Sequence, residues 1–404
     1  MEITKCQAYK IKDSRGDDTL EVEICAGEFS AKASVPAGKS TGTREAMALA
    51  ADEAVKNINE IIALEIVGKK VSVTEIDKFL LELDGTENKS KLGANAILGV
   101  SIANIKLSAK IANEFLWKHI QSLGGSTSKD SGDTLNRFPR LFANVLNGGA
   151  HADFRLPFQE YMFVLGNGLN VAGPVEQLRV LTEQLGSKLE DLKKEVKIGD
   201  EGGFSFVSEE IEEPFKILSS LYDKLAIDVA GGEFFEDGKY NVLGHQYSSD
   251  ELLKIYENLV EKFPLVSIED PFSENDFTGF ISFVKKLKTP VFEVLEREIL
   301  VVGDDLTTTN PEMIKKVIGE KMVNAVLIKP NQIGTVSETL EAIKLTHEAG
   351  LKTIISHRSG ETMDSFIADL TIGVSAYGIK TGALSQPERV AKYERLVEIE
   401  REMN

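Results

Sequence analysis

Six short apolar runs in the second half of the chain each end in a residue that can carry charge or bind a proton. They close on Asp228, Glu269, Asp304, Lys329, His357 and Lys380. The steps recur at roughly 25–40 residues, about the length of one strand plus one helix in a (β/α) barrel. In that architecture functional groups stand at the C-terminal ends of the strands, so three carboxylates, two lysines and a histidine are expected at one mouth. Such a set is a metal site with bases beside it.

The 404 residues exceed what one core usually supports, which predicts two domains, one of them a barrel of about 250 residues. A net charge of -18 argues against nucleic acid as a partner. It does not argue against an anionic substrate, because divalent cations reverse the local field at a carboxylate-rich mouth. Cys6 and Cys25 fall in apparent strands without CxxC spacing, which suggests a reduced, cytoplasmic setting. The first residues lack a signal-peptide core, and Asn95, Ser101, Asn104 and Lys106 interrupt the most apolar helical stretch (92–111), so neither export nor membrane spanning is expected.

Leu20, Val22 and Ile24 alternate with glutamates, and alternation resumes at Phe29 after a turn at Ala26 and Gly27. This pattern predicts an antiparallel hairpin. Helical patterns follow over 45–64 and 93–116, so residues 1–125 form an α+β capping domain. The turn-rich stretch GGSTSKDSGDT at 124–134 marks the boundary, and the barrel is placed at 135–404. Within it Asn310 and Pro311 mark a helix start, and Ser248 with Glu251 and Ser385 with Glu388 fit capping boxes.

Each constellation has a plainer reading. A single carboxylate at a strand end also caps a following helix, and a lysine there also reaches for water. The GDEGG loop at 199–203 also reads as a solvated turn, and His151, after the NGGA at 147–150, also reads as a structural histidine. The company of the six strand ends favours function: three hard oxygen ligands suit Mg2+. A lysine near other cations loses its proton more readily and can act as a base. The AGKSTG at 37–42 fails as a P-loop, since Ala33 stands where the first glycine belongs; it reads instead as a loop with hinges at Gly38 and Gly42.

Taken together, DSRG (13–16), GANAILG (93–99), NGGAH (147–151), GDEGG (199–203), SIEDP (267–271), GDDL (303–306), NQIGT (331–335) and SHRSGE (356–361) resemble the enolase family, the phosphopyruvate hydratases of glycolysis and gluconeogenesis. The resemblance runs over nearly the whole chain. It implies an α/β fold with an N-terminal α+β cap and a modified (β/α)8 barrel in which one strand runs antiparallel. It also implies dehydration of a phosphorylated carboxylate, 2-phosphoglycerate, with two Mg2+ ions. Position by position, Asp228, Glu269 and Asp304 match ligands of the first ion and Ser40 a ligand of the second. Lys329 matches the base and Glu201 the acid; Glu160, Lys380 and His357 match supporting catalytic groups. His151, Gln159, Arg358 and Ser359 match substrate contacts. A paralogue acting on a related phospho- or phosphono-carboxylate, and a non-catalytic scaffold, are the alternative readings.

The chain departs from the family pattern in places. Ala37 and Lys39 replace a serine and an alanine in the loop, and Gly231 and Gly232 replace Ala-Ser after the first metal ligand. Lys39 is expected to add a cation near the second-metal and phosphate region and to change loop closure or metal affinity. The resemblance implies a homodimer or higher oligomer, in which Glu21 would pair with an arginine of the last helix. Glu398 stands at that position, so an altered interface is expected.

Overall fold

The computed structural model describes residues 1–39, 44–125, 138–289, 295 and 297–403. Three antiparallel strands open the chain in the order β1 (Lys5–Lys12), β2 (Asp18–Ala26) and β3 (Phe29–Val35). The expected hairpin is β2 with β3: Leu20, Val22 and Ile24 sit opposite Val35, Ala33 and Ala31. All six are buried, and the helix Ala94–Ala112 packs on this face. The helix expected from residue 45 begins only at Ala51. Its would-be first turns are held extended from outside, since Ala46 N–H donates to the Gln332 carbonyl and Met47 N–H to that of Asn88. Tertiary hydrogen bonds here override a helical composition. Residues 126–134 of the expected boundary segment lie outside the described residues.

Eight strands then close a barrel: β4 (Arg140–Asn147), β5 (Glu160–Leu165), β8 (Leu225–Asp228), β12 (Leu265–Glu269), β13 (Leu300–Gly303), β14 (Ala325–Ile328), β15 (Lys352–Ser356) and β16 (Gly378–Lys380), with β16 pairing back to β4. A short hairpin of β6 (Lys197–Ile198) and β7 (Phe204–Ser205) extends β4. A separate meander contains β9 (Phe235–Glu236), β10 (Lys239–Val242) and β11 (His245–Tyr247). Every barrel pairing is parallel except those of β5, which runs antiparallel to both β4 and β8. Phe142, Met162, Val164, Leu300, Val302, Leu327 and Ile354 form a buried cluster of their own, distinct from the larger core. Alternating strand residues of this kind fill a barrel's interior, which leaves only its end for chemistry.

Helix starts follow local chemistry where the backbone is free to obey it. Ser248 accepts from Glu251 N–H at 3.4 Å, while Glu251 accepts from Ser248 N–H at 2.8 Å, completing the predicted capping box. Asn310 caps the helix Pro311–Glu320 by accepting from the Glu312 and Met313 amides. Each such cap stabilises by about 1 kcal/mol. The second predicted capping box does not form. Ser385 instead donates its hydroxyl to the Gly202 carbonyl at 2.7 Å, and the last helix begins at Pro387. The GDEGG loop has claimed that side chain.

Polar contacts join cap and barrel. Lys89 pairs with Glu338 at 3.0 Å, Lys106 with Asp364 at 2.6 Å, and Asp77 accepts from the Ser337 amide and hydroxyl. Glu21, expected at an oligomer contact, accepts from Lys32 and Ser34 of its own chain, and Glu398 pairs with Arg395.

Candidate active site

The C-terminal rim of the barrel frames a partly open pocket of ≈ 440 Å³. Lys329, Glu201, Glu160, Lys380, His357, His151, Gln159, Arg358, Ser359, Asp228 and Asp304 all line it, as do Gly38 and Lys39 from the cap. Glu269 does not line it but accepts from Lys380, and Ser40 lies outside the described residues.

The direction of β5 explains how Gln159 and Glu160 reach the rim. They stand at the start of their strand, where a residue of a parallel strand would face the opposite end. Because β5 runs the other way, Glu160 lies level with Asn147 at the end of β4 and with Asp228 at the end of β8. Gln159 donates to Asp228 at 3.3 Å.

Two lysines divide the carboxylates between them. The Lys380 ammonium lies 3.0 Å from Glu160, 3.1 Å from Asp228 and 2.9 Å from both oxygens of Glu269. Burial opposes its charge, yet these carboxylates hold its pKa well above the ordinary lysine value. Lys329 pairs with Asp304, which also accepts from Gln332 at 2.9 Å. Burial opposes the Lys329 ammonium too, but Asp304 outweighs it and raises the pKa. Burial and the nearby Asp228 push Glu269 well above the carboxylate range.

A second arm carries Glu201, which accepts from Asn144 at 2.8 Å and lies 3.4 Å from His357 Nε2 and 3.6 Å from His151 Nδ1. Glu160 and Glu201 stand within 4.8 Å of each other. Burial and the Glu201 charge push Glu160 well up. Burial opposes ionisation of Glu201 as well, but its imidazole neighbours and Arg389 hold it well below the ordinary range. Burial brings the His357 pKa down to about 4. Neutral His357 is the consistent state at pH 7, since the fixed Arg389 cation lies 2.6 Å from Nδ1 and can only donate. The ring proton then sits on Nε2, 3.4 Å from Glu201, while the Asn144 hydrogen bond and the Arg389 charge favour the ionised Glu201.

His357 therefore has a pH signature. Its folded pKa is depressed, so the folded protein binds fewer protons than the unfolded chain between about pH 4 and 6.5, and stability falls as pH drops through that window. From pH 7 to 5 this costs roughly 2 kcal/mol. Denaturant unfolding of wild type and His357→Gln at both pH values should show the variant losing that much less; equal losses would mean that His357 is charged in the fold.

The phosphate-sized end is cationic. Arg358 donates to Glu45 at 3.0 and 3.1 Å and to Asn331 at 3.1 Å, and Ser359 Oγ accepts from Arg15. Gly38, read as a hinge, has a packing reason: a Cβ there would stand 2.0 Å from the Arg358 guanidinium. Gly42 lies outside the described residues. Gly231 is explained similarly, since a Cβ would meet the Phe272 backbone at 2.8 Å.

Metal ligation was expected from Asp228, Glu269 and Asp304. Among the described residues, the groups whose ligand atoms gather within 4.8 Å are Asp270, Asp304 and Asp305, and His151, Glu160 and Glu201. Asp228 and Glu269 both contact Lys380. The hard-oxygen donor set fits a divalent cation, and Gln159 Oε1 and His151 Nδ1 are buried with no hydrogen-bond partner, as suits a polar ligand.

Asp305, Asp270 and Arg389 were not singled out from sequence. Asp270 accepts from the amides of Asp304 and Asp305 at 3.0 and 2.6 Å and so shapes that rim. Arg389 is fully buried and donates to the carbonyls of Arg358 and Ser359, holding the SHRSGE segment from beneath. Asp270 and Asp305 sat within quoted motifs, whereas a lone arginine in a charged helix carried no signal.

Family models described as "Enolase, C-terminal TIM barrel domain" and "Enolase, N-terminal domain" match residues 136–404 and 3–120. The chain belongs to the enolase family. Similar curated relatives include enolases from Ureaplasma parvum serovar 3, 42% identical over all of this chain and 97% of the relative, and from Thermococcus kodakarensis, 41% identical over 100% and 95%. The enolase of Thermococcus gammatolerans is 40% identical over the same shares. Against the enolase loop pattern, Lys39 is the departure nearest the cavity. Its ammonium does not stand free there: it reaches Asp200 at 2.8 Å and the Ala150 carbonyl at 3.0 Å.

Proposed function

We propose that this enolase-family chain catalyses the reversible dehydration of 2-phosphoglycerate to phosphoenolpyruvate, the hydro-lyase step of glycolysis and gluconeogenesis. The observation that carries the reading is one pocket lined by a buried lysine on an acidic cluster, a separate buried carboxylate arm and a buried arginine. In this reading Arg358 and Ser359 bind the phosphate, and Lys329 as free amine removes the C2 proton. Lys380 stabilises the negative charge that builds on the substrate carboxylate. Glu160, the carboxyl held neutral, lies within 4.8 Å of Glu201 and supplies the proton that Glu201 passes to the departing C3 hydroxyl; in hydration the Glu201 carboxylate activates water. His151 and Gln159 orient the substrate, and His357 sets the hydrogen bonding of Glu201.

Asp228, Glu269 and Asp304, with Ser40 for a second ion, would hold two Mg2+ ions, which supply positive charge for the substrate carboxylate and phosphate and offset the pull of Asp304 on the Lys329 proton. No described helix is long and apolar enough to cross a membrane, and a cytoplasmic setting is proposed from the glycolytic reading. A homodimer is proposed, with Glu21 and Glu398 satisfied within their own chains rather than across the interface.

Ultraviolet absorbance of the phosphoenolpyruvate double bond provides the test. Product should form from 2-phosphoglycerate with Mg2+, stop on chelation and resume when Mg2+ is restored. Silence from folded, metal-loaded protein would shift the reading to a related phospho- or phosphono-carboxylate.

A further inference from the structure

Lys39 occupies a junction of three loops. Its ammonium donates to Asp200 Oδ2 at 2.8 Å and to the Ala150 carbonyl at 3.0 Å, so one cation from the cap grips the loops that carry Glu201 and His151. Those loops also touch each other, Asp200 N–H donating to the His151 carbonyl at 3.2 Å. From the barrel side the GDEGG loop is held largely by its backbone, since Ala383 N–H donates to the Glu201 carbonyl, Ser385 to that of Gly202 and Gln386 to that of Asp200, while Asn144 donates to the Glu201 side chain. Among the described residues, Lys39 is the one cap residue bonded to this loop, and it engages the side chain next to Glu201.

We propose that Lys39 is a positioning residue, acting through Asp200 and Ala150 to hold Glu201 and His151 in the geometry for hydroxyl departure. The inference rests on the dehydration reading above and separates its two halves. In the first half the Lys329 amine takes the C2 proton, and the C–H electron pair passes into the substrate carboxylate. From there either a solvent-exchanged proton returns to C2 from Lys329, or the pair forms the C2–C3 double bond as the C3–O bond breaks and Glu201 gives its proton to form water. Lys39 bears on the second branch only, because it touches the Glu201 arm and not Lys329. The pair is partly exposed, with side chains 45% and 26% accessible, so the effect is a matter of alignment and not of gross stability.

The experiment measures, in D2O with Mg2+, deuterium uptake at C2 of 2-phosphoglycerate alongside phosphoenolpyruvate formation. Lys39→Ala should lower kcat for dehydration about 3- to 10-fold and raise the exchange-to-dehydration ratio by a similar factor, with KM changed less than about twofold. Asp200→Asn should do the same, Lys39→Ala/Asp200→Asn should be no worse than either alone, and Lys39→Arg should restore the wild-type ratio. An unchanged ratio in Lys39→Ala, or a loss confined to KM, would overturn the positioning role. Wild type that neither exchanges nor dehydrates would overturn the reaction itself, which keeps the two failures apart.

Discussion

Lys329→Ala abolishes both deuterium exchange at C2 and phosphoenolpyruvate formation, with kcat lowered about 10³- to 10⁴-fold, the worth of a positioned general base. The cause is geometric and electrostatic together. Lys329 follows β14, is enclosed by the cavity and is held by Asp304, and no other described lysine occupies that side of the rim in its place. Loss of exchange distinguishes this variant from Lys39→Ala, in which exchange persists while dehydration slows. Lys329→Met serves as the companion, filling the space of the stem without a base and so limiting the cavity left behind. Retention of C2 exchange in both variants would show that another group removes the proton, and the assignment of Lys329 would fail.

Lys380→Ala produces the largest stability loss, about 3–5 kcal/mol in metal-free protein, because it strips the shared partner from buried Glu160, Asp228 and Glu269. In a domain of this size that corresponds to a fall of very roughly 10 °C in Tm. Divalent cations should stabilise the variant more than wild type, since they supply the missing positive charge and binding to the fold alone shifts unfolding by mass action. Thermal unfolding with chelator, and then across a Mg2+ titration, reads this without any assay of activity. A metal-free variant as stable as wild type would mean that the carboxylates do not depend on Lys380, and the charge balance drawn here would be wrong.

Much of the barrel was legible because strand ends repeat at a regular interval and each carries a chemically distinct residue. Asp228, Glu269, Asp304, Lys329, His357 and Lys380 could be placed on one rim from spacing alone, and the hairpin followed from alternation around Leu20, Val22 and Ile24. Local signals misled where a distant group claimed the same atoms. Ser385 fits a capping box in sequence, but Gly202 takes its hydroxyl. Residues 45–50 have helical composition, yet the Ala46 and Met47 amides are committed to the Gln332 and Asn88 carbonyls. What spacing did not give is the pairing within the rim, where Asp304 contacts Lys329 and Asp228 and Glu269 contact Lys380.

From its sequence alone the chain determined its repeating architecture, the kinds of groups available to the site and its likeness to one family, since all three are written in local spacing and residue type. Tertiary structure decided which groups meet. The reversal of β5 puts Glu160 beside Asp228, Arg389 fixes the ring proton of His357, and Lys39 reaches Asp200 across the domain junction. Strand direction and contacts between residues far apart in sequence leave no periodic trace, because they depend on how whole elements pack and not on the order of neighbours along the chain.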